Sequence, residues 1–184
     1  MIPSQQIAGL KLLEPKTFQD SRGRFSELFR RDDDRLRDEQ GQGLEFLEDS
    51  LSTSRRGVLR GLHGDHRTWK LMQCVAGEIF LVVVDLRCES SSFRQWTGLR
   101  LPAEEPRQVL VPPGCVNGHL VLRDAALFYK QTAYYQGAGQ QVALRWDDPT
   151  IGIRWPLEEL DAAPILSDRD ASTPWLETLS ADPP

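Results

Sequence analysis

Ile79-Phe-Leu-Val-Val-Val-Asp85 is a nearly continuous apolar run, and it decides how the rest of the sequence is interpreted. A half-exposed strand alternates apolar and polar residues, whereas a strand covered on both faces is apolar at almost every position. We therefore predict that residues 79–87 form a buried strand with protein packed on each side. The other segments are arranged around it.

Short apolar runs separated by turns surround this strand. Twelve prolines and fourteen glycines are spread along the 184 residues, which favours many turns over long helices. About ten short strands, with turn signals roughly every ten residues and no crossover helices, indicate an all-β double-sheet jelly roll or a similar barrel with short flanking helices. Residues 31–40, a run of mixed charges, are predicted to form one short solvated helix. The chain fits a single domain, residues 1–184.

The composition excludes several classes of function. A formal net charge of −5, with no Lys/Arg-rich tract, offers no basic field for nucleic acid, so an anionic ligand would need a local basic pocket. The polar start, and the lack of any apolar stretch near the ~20 residues of a spanning helix, predict a soluble, cytoplasmic protein with no membrane partner. Cys74, Cys88 and Cys115 have no CxxC spacing and fit reduced thiols. Cys115, in a Pro-Gly-Cys turn, is either a nucleophile or an inert small residue.

Upstream of the buried strand lies Gly57-Val-Leu-Arg-Gly-Leu-His-Gly-Asp65, with Lys70 just beyond it. His63 ends an apolar run and lies between two glycines, which allow other groups to approach closely. This setting indicates a positioned general base. The alternative is a core histidine satisfied by a backbone hydrogen bond.

A second unusual segment is Arg24-Phe-Ser-Glu-Leu-Phe29. Strand alternation would place Phe25, Glu27 and Phe29 on one face, with a carboxylate between two aromatic rings. This pattern fits either a ligand-facing strand or an edge strand whose glutamate reaches solvent.

Taken together, these motifs resemble the dTDP-4-dehydrorhamnose 3,5-epimerase family, from about Asp20 to Asp170. The order and spacing of the motifs carry the resemblance. They are Arg22-Gly-x-Phe25-x-Glu27, Gly57-Val-Leu-Arg-Gly-Leu-His63, Lys70, Val84-Asp-Leu-Arg87, Pro113-Gly114, Tyr129, Tyr134-Tyr135, Asp148-Pro149, Trp155-Pro156 and Leu166-Ser-x-x-Asp170. The resemblance implies a cupin-type jelly roll, or double-stranded β-helix, that forms a homodimer, uses no metal or other cofactor, and acts on a nucleotide-diphosphate 4-keto sugar.

The resemblance also implies catalytic roles. His63 corresponds to the base, and Asp170 to the carboxylate that orients it, with Asp168 as a competing candidate from the same segment. Either aspartate could instead cap the helix that follows Ser167. Tyr129 corresponds to the proton donor, and Lys70 to the lysine set against the enolate oxygen.

Further residues correspond to the substrate-binding groups of the family. Arg60 matches an arginine beside the sugar nucleotide. Arg22, Phe25 and Glu27 match a nucleotide-facing strand that often reaches across the dimer. Tyr135 matches the ring that stacks on the base.

The chain departs from the family pattern at two places. Asn117 stands where the family has a second active-site histidine, and an amide cannot carry a proton; His119, two residues on, is the candidate to replace it. Glu48-Asp-Ser-Leu-Ser52 stands where the family has Gln-x-Asn-x-Ser, and its acidic residues would repel a diphosphate. These features are similar to relatives acting on GDP-linked 4-keto-6-deoxyheptoses, and they also fit inversion at one sugar centre only.

Two other readings of the function stay open on the sequence. A metal-dependent cupin needs about three histidines and a carboxylate around one ion, and His63, His66 and His119 are the histidines available. A non-catalytic nucleotide-sugar-binding relic would keep the pocket without the chemistry.

Overall fold

The computed structural model describes residues 7–137, 139 and 141–176, and its regular structure is almost entirely β. The strands are β1 (Lys11–Leu13), β2 (Lys16–Asp20), β3 (Gly23–Glu27), β4 (Glu48–Ser54), β5 (Leu59–Gly64), β6 (Lys70–Asp85), β7 (Trp96–Pro102), β8 (Gln108–Val111), β9 (Cys115–Gln131) and β10 (Val142–Ala143). A 3-10 turn, Leu157–Glu159, and a one-turn helix, α1 (Asp168–Ala171), follow them. The predicted all-β jelly roll with short flanking helices is confirmed. None of the helices in these ranges is long and apolar enough to cross a membrane.

Strands β1 and β4 to β10 are hydrogen-bonded into one eight-stranded sheet, and two long strands, β6 and β9, join its two halves, which are called here the two sheets. Strands β6 and β9 pair antiparallel from Lys70 opposite Gln131 to Asp85 opposite Cys115. The first part of β6 and the last part of β9 lie in one sheet with β1, β8 and β4, whereas the opposite ends lie in a second sheet with β7, β5 and β10. The hairpin of β2 and β3 forms a separate two-stranded sheet.

In the sequence, Ala76-Gly77-Glu78 is typical of a turn that would end one strand before residue 79. The structure instead shows a bend within β6, with register shifts between Cys74 and Ile79. Gly77 has φ +71°, and a side chain there would collide with the Asp124 carbonyl of β9. Glycine therefore allows the two strands to bend in contact, so that each continues from one sheet into the other.

The apolar run 79–84 is buried on both faces, as predicted. Ile79, Leu81 and Val83 pack between the two sheets. Phe80 and its neighbours on the opposite face pack against the C-terminal segment, with the Phe80 and Trp155 rings 6.0 Å apart in an edge-to-face arrangement. Each such aliphatic side chain contributes about 1.5–3 kcal/mol by leaving water.

The helix predicted for residues 31–40 is wrong, because this segment forms turns. Asp33 Oδ1 accepts a hydrogen bond from the Arg35 backbone N–H at 3.0 Å, and Asp38 Oδ1 accepts one from Gln40 at 3.0 Å. Aspartates that bind the backbone two residues on favour turns over helix. Leu36 is buried under the first sheet and anchors the segment.

Candidate active site

A cavity of about 510 Å³ opens beside the long strands. Its walls come from one face of β4, β5, β6 and β9 and from the segment around α1. Most of the predicted site residues line it: Arg60, His63, Lys70, Asn117, His119, Tyr129, Tyr135 and Asp170.

A β-bulge in β5 turns His63 toward the cavity. Arg60 lies opposite His119, and His63 lies opposite Asn117, so β5 uses one residue more than β9 over this interval. Gly61, at φ +118°, absorbs the extra residue, and a Cβ there would lie 2.5 Å from Gly118 Cα. The bulge therefore brings Arg60 and His63, three residues apart, onto the same wall.

His63 and Asp170 form a close pair, with His63 Nε2 2.9 Å from Asp170 Oδ1. Asp170 lies in α1, where the Ser167 side chain caps the helix by accepting from the Asp170 backbone N–H at 3.1 Å. Burial opposes ionisation of Asp170, but its contacts with His63, Ser167 and the Gly61 N–H outweigh this and lower its pKa. Asp168 is exposed, so of the two candidates only Asp170 meets the histidine, and neither aspartate is the cap.

This pairing fixes the role that each ring nitrogen can have. A carboxylate at Nε2 favours the tautomer with the proton on that nitrogen and stabilises the imidazolium. Nδ1 is then the nitrogen left to exchange a proton with a bound molecule.

Lys70 places a buried amine in the wall of the cavity. Its side chain is 7% exposed, and Nζ donates to Asn117 Oδ1 at 3.2 Å. Burial lowers its pKa, and the negative charge of Asp65, acting through space, offsets only part of this effect. An ammonium has three donors, so Lys70 keeps capacity to stabilise an oxyanion inside the cavity.

Tyr129 lies in β9 between Met72 of β6 and Ser50 of β4. Alternation along β9 also brings Leu127 and Gln131 to the cavity. A tyrosine hydroxyl in a cavity wall can donate a proton or a hydrogen bond to a bound molecule.

His119 is buried, and burial, aided by the positive charge of Arg60, lowers its pKa to about 4 against the opposing effect of Asp170. It is therefore uncharged at neutral pH. Arg60 donates through Nε to Ser54 Oγ at 3.0 Å, and its guanidinium lines the cavity beside His119.

Three predicted site residues do not reach this cavity within the chain. Arg22, Phe25 and Glu27 lie on the β2–β3 hairpin, outside the cavity wall. Arg22 pairs with Asp20 at 2.6 Å, and Phe25 is 66% exposed. Phe25 lies against neighbouring Phe18, with 6.3 Å between the ring centroids, and both rings are exposed, so the hairpin presents its aromatic surface outward.

Sequence reasoning missed two charged residues of the cavity. Glu48 was treated only as a departure from a motif, yet the alternation Glu48, Ser50, Ser52 of β4 could have placed it on the cavity face. Arg169 precedes Asp170, and its Nη2 donates to Gln141 Oε1 at 3.1 Å. A four-residue helix is too short for the spacing of its residues to predict which side chains reach the cavity.

Metal ligands were a further question raised by the sequence. His63 and His119 line the cavity, whereas His66 is exposed outside it. Within the described ranges, no three His, Cys, Asp or Glu side chains form a group that could hold a metal ion.

The jelly-roll fold and its cavity together indicate the class of this protein. A histidine–aspartate pair, a buried amine and a tyrosine converge on one space, where such groups can bind a molecule and exchange protons with it. The class is a cupin-type jelly roll with a polar ligand cavity.

Comparison with known proteins then gives the family. The sequence profile of dTDP-4-dehydrorhamnose 3,5-epimerase matches residues 4–178. The Salmonella typhimurium enzyme of that name is 41% identical over 175 residues, which cover 93% of this chain and 92% of that protein. The Methanothermobacter thermautotrophicus enzyme of the same name is 41% identical over 167 residues, covering 89% and 88%.

Solved structures agree with this assignment. The Legionella pneumophila epimerase RmlC, in complex with dTDP-4-keto-L-rhamnose, superposes with a TM-score of 0.86 at 38% identity, covering 97% of this chain and 93% of that one. ChmJ, a 3'-monoepimerase from Streptomyces bikiniensis in complex with dTDP-quinovose, gives 0.83 at 33% identity, covering 95% and 87%. The chain belongs to the dTDP-4-dehydrorhamnose 3,5-epimerase family and is an isomerase.

Proposed function

We propose that the protein epimerises a dTDP-linked 4-keto-6-deoxy sugar at C3, C5 or both, in the biosynthesis of a deoxysugar. The observation that carries the proposal is the convergence of the His63–Asp170 pair, Lys70 and Tyr129 on one cavity. The ligands bound in the similar structures, dTDP-4-keto-L-rhamnose and dTDP-quinovose, support dTDP as the nucleotide. A binding relic would have no use for all four groups together.

The chemistry follows from the carbonyl at C4. The C–H bonds at C3 and C5 are acidic because their electron pairs can move into the carbonyl and form an enolate. In the proposal, His63 takes the proton, Lys70 stabilises the negative charge on the C4 oxygen, and Tyr129 returns a proton to the opposite face of the carbon. The enolate collapses to the ketone, and the net change is inversion at that carbon.

The remaining charges fit an anionic nucleotide. Arg60 and Arg169 place two guanidinium groups in the cavity wall, which gives this acidic protein the local basic pocket that a diphosphate requires. Tyr135, 52% exposed at the cavity rim, is positioned to stack on a base.

We further propose a homodimer in which the β2–β3 hairpin completes the site of a second copy. Within one chain, Arg22, Phe25 and Glu27 stay outside the cavity, and the hairpin projects Phe18 and Phe25 into solvent. A second copy would bury these rings and bring the hairpin to the nucleotide.

Because Asn117 replaces a histidine, we propose more specifically that the protein inverts a single sugar carbon. Its amide cannot carry a proton and accepts a hydrogen bond from Lys70, and the lowered pKa of His119, about 4, makes that imidazole a weak base at neutral pH. The 3'-monoepimerase among the similar structures is a precedent for single-centre chemistry on this fold.

A cytoplasmic location is part of the proposal. Cys74 and Cys115 are buried free thiols, and Cys88 is an exposed one. Unpaired thiols are typical of a reducing compartment.

Proton NMR in D₂O tests the proposal with dTDP-4-keto-6-deoxyglucose and a GDP-linked 4-keto sugar in parallel. We expect deuterium to enter the dTDP substrate at C3, alone or together with C5. Entry only into the GDP substrate would reassign the nucleotide to that of the deoxyheptose relatives. Absence of exchange from both would contradict the proposed function.

A further inference from the structure

Strands β5 and β6 are joined by a turn, residues 65–69, that contains a carboxylate the proposed reaction does not use. Oδ1 of Asp65 accepts hydrogen bonds from the backbone N–H of Arg67 at 2.9 Å and of Thr68 at 2.8 Å. A short acidic side chain that binds the backbone two and three residues on fixes a tight turn. Because β6 begins at Lys70, this turn determines where that residue enters the cavity wall.

The turn is also held at both of its ends. At the first end, the Asp65 carbonyl accepts from the Gly114 N–H at 2.8 Å. At the last end, the Trp69 N–H donates to the Thr132 hydroxyl at 3.0 Å, and the Trp69 carbonyl accepts from the Thr132 N–H at 3.2 Å. The carboxylate of Asp65 therefore completes a turn with little freedom to move, and Lys70 follows it directly into β6.

Asp65 also acts on Lys70 through its charge. Asp65 lines a small cleft and Lys70 lines the cavity, and both spaces share Gln131, which pairs with Lys70 between β9 and β6. Burial opposes ionisation of Asp65, but the hydrogen bonds from Arg67 and Thr68, aided by the Lys70 ammonium, outweigh it and lower the pKa of Asp65. In return, the ionised Asp65 opposes the effect of burial on the pKa of Lys70.

Other charged or titratable groups face Lys70 from the elements around the cavity. They are Arg60 and His63 of β5, His119 and Tyr129 of β9, Glu48 of β4, and Arg169 and Asp170 of α1. The strand on the other side of Lys70, β8, consists of the uncharged residues Gln108–Val111. Of the two acidic groups, Asp170 pairs with His63, and Glu48 accepts from uncharged donors. Among the described residues, Asp65 is the one whose negative charge raises the pKa of Lys70.

We propose that Asp65 is a positioning residue for the reaction: its carboxylate holds the turn that places Lys70 in the cavity wall, and its charge keeps the Lys70 amine protonated there. A protonated amine stabilises an enolate oxygen better than a neutral one, since it offers a full positive charge and three donors. Asp65 itself does not line the cavity, so it acts through Lys70. This inference rests on the proposed function, because it takes Lys70 to stabilise the enolate.

The variants Asp65→Asn and Asp65→Ala separate the two effects. Asparagine keeps an acceptor oxygen for the N–H groups of the turn but carries no charge, whereas alanine loses both. Asp161→Asn is the matched control, because Asp161 is an exposed carboxylate outside the cavity that pairs with Arg56. Thermal unfolding of each variant establishes that it is folded. If Asp65→Ala does not fold, the titration of Asp65→Asn decides the inference on its own.

Lysine-selective carbon-13 and nitrogen-15 NMR measures the charge of Lys70 without any substrate. The sequence has four lysines, Lys11, Lys16, Lys70 and Lys130, and the Lys70 signal is the one missing from Lys70→Met. We expect Asp65→Asn to move the Lys70 titration to lower pH, so that the ratio of neutral to charged amine at a given pH rises about three- to tenfold. Asp161→Asn should change this ratio less than about twofold, because its charge faces solvent.

The rate of deuterium exchange into the dTDP substrate should follow the charge of Lys70. In Asp65→Asn, the alkaline limb of the pH–rate profile should move to lower pH together with the Lys70 titration, while the rate below this limb stays near that of the wild type. Asp65→Ala should lose about tenfold or more at every pH, because the turn no longer places Lys70 correctly. A purely structural Asp65 would instead lower both rates without moving the profile, which would overturn the inference.

An unshifted Lys70 titration in Asp65→Asn, or equal exchange rates in Asp65→Ala and the wild type, would also overturn the inference. The titration is independent of the proposed function, since it needs no sugar nucleotide. Exchange by the wild type together with an unshifted titration would reject only the role of Asp65. A shifted titration in a protein whose wild type exchanges neither sugar nucleotide would contradict the proposed function and leave the coupling of Asp65 to Lys70 in place.

Discussion

The cluster around Asp85 and the cavity both bury polar side chains, but they differ in how completely the hydrogen-bonding groups are used. Asp85, fully buried at the end of β6, accepts from the Arg87 backbone and guanidinium and from the hydroxyls of Ser90 and Ser92. Burial opposes ionisation, but these donors outweigh it and lower the pKa of Asp85 to about 2. Arg87 also donates to the Ala8 carbonyl at 2.6 Å, so the cluster joins the N-terminal segment to β6.

In the cavity, by contrast, hydrogen-bond donors and acceptors are not fully paired with one another. Among the residues that the structure describes, Lys70 uses one of its donors and Glu48 has an acceptor position to spare, while His119 is held uncharged by burial. Incompletely used buried polar groups reduce the stability of the free protein. We conclude that the saturated cluster serves the fold, whereas the cavity keeps its spare capacity for a ligand.

The largest effect expected from this contrast is the loss of proton exchange in His63→Ala. Removing a general base costs about 10²–10⁴ in rate, and the fold should persist because His63 is only partly buried. Deuterium incorporation into dTDP-4-keto-6-deoxyglucose measures the loss. His66→Ala is the matched control, since His66 is exposed three residues away, and it should exchange at the wild-type rate. Normal exchange in His63→Ala would show that another group is the base.

Tyr129→Phe should separate the two halves of the reaction. Deprotonation by His63 persists, so deuterium still enters the substrate, while inversion falls by about 10² because the donor on the opposite face is missing. Parallel measurement of exchange and of inverted product gives the ratio. An equal fall in both would assign Tyr129 to a step before proton removal.

A further expected effect concerns the pH dependence of folding stability, because the two regions lose stability in different pH ranges. His119 has a folded pKa near 4 against a usual value of 6.5. Between these values the unfolded chain binds the proton and the folded one does not, so acidification through this window lowers stability by up to about 1.4 kcal/mol per pH unit. Asp85, with its pKa lowered from 3.8 to about 2, stabilises the fold above pH 3.8 and loses this contribution between pH 3.8 and 2.

Denaturant unfolding between pH 7 and 4 compares the wild type with His119→Gln. The variant should show the flatter profile, because it lacks the group whose protonation favours the unfolded chain. Identical slopes would mean that His119 takes up a proton equally in both states.

Much of the fold could be predicted because it follows from short-range patterns. The apolar run 79–84 indicated burial on both faces, and the glycines beside His63 indicated close packing; a side chain at Gly64 would collide with the Cys115 carbonyl. The continuity of β6 through residues 76–78 could not be predicted, since it depends on β9 bending with it. The helix predicted for residues 31–40 failed because the charge pattern does not show aspartates binding their own backbone.

The site was predictable in its chemistry and less so in its geometry. His63, Lys70, Tyr129 and Asp170 are distant in sequence, and only the resemblance placed them together. Neither the bulge at Gly61 nor the choice of Asp170 over Asp168 follows from residue spacing. The uncharged state of His119 depends on burial, which a single position in a strand does not show.

Lys70→Met and Asp85→Asn, measured side by side for exchange rate and for free energy of unfolding, test the central contrast most directly. Lys70→Met should lose about 10²–10³ in exchange rate and keep or gain stability, because a buried amine is replaced by an apolar chain of similar shape. Asp85→Asn should lose about 3 kcal/mol of stability, while its folded molecules exchange at the wild-type rate. If Lys70→Met were as destabilised as Asp85→Asn, or if Asp85→Asn lost its exchange while folded, the division between a saturated structural cluster and an unsaturated active site would be contradicted.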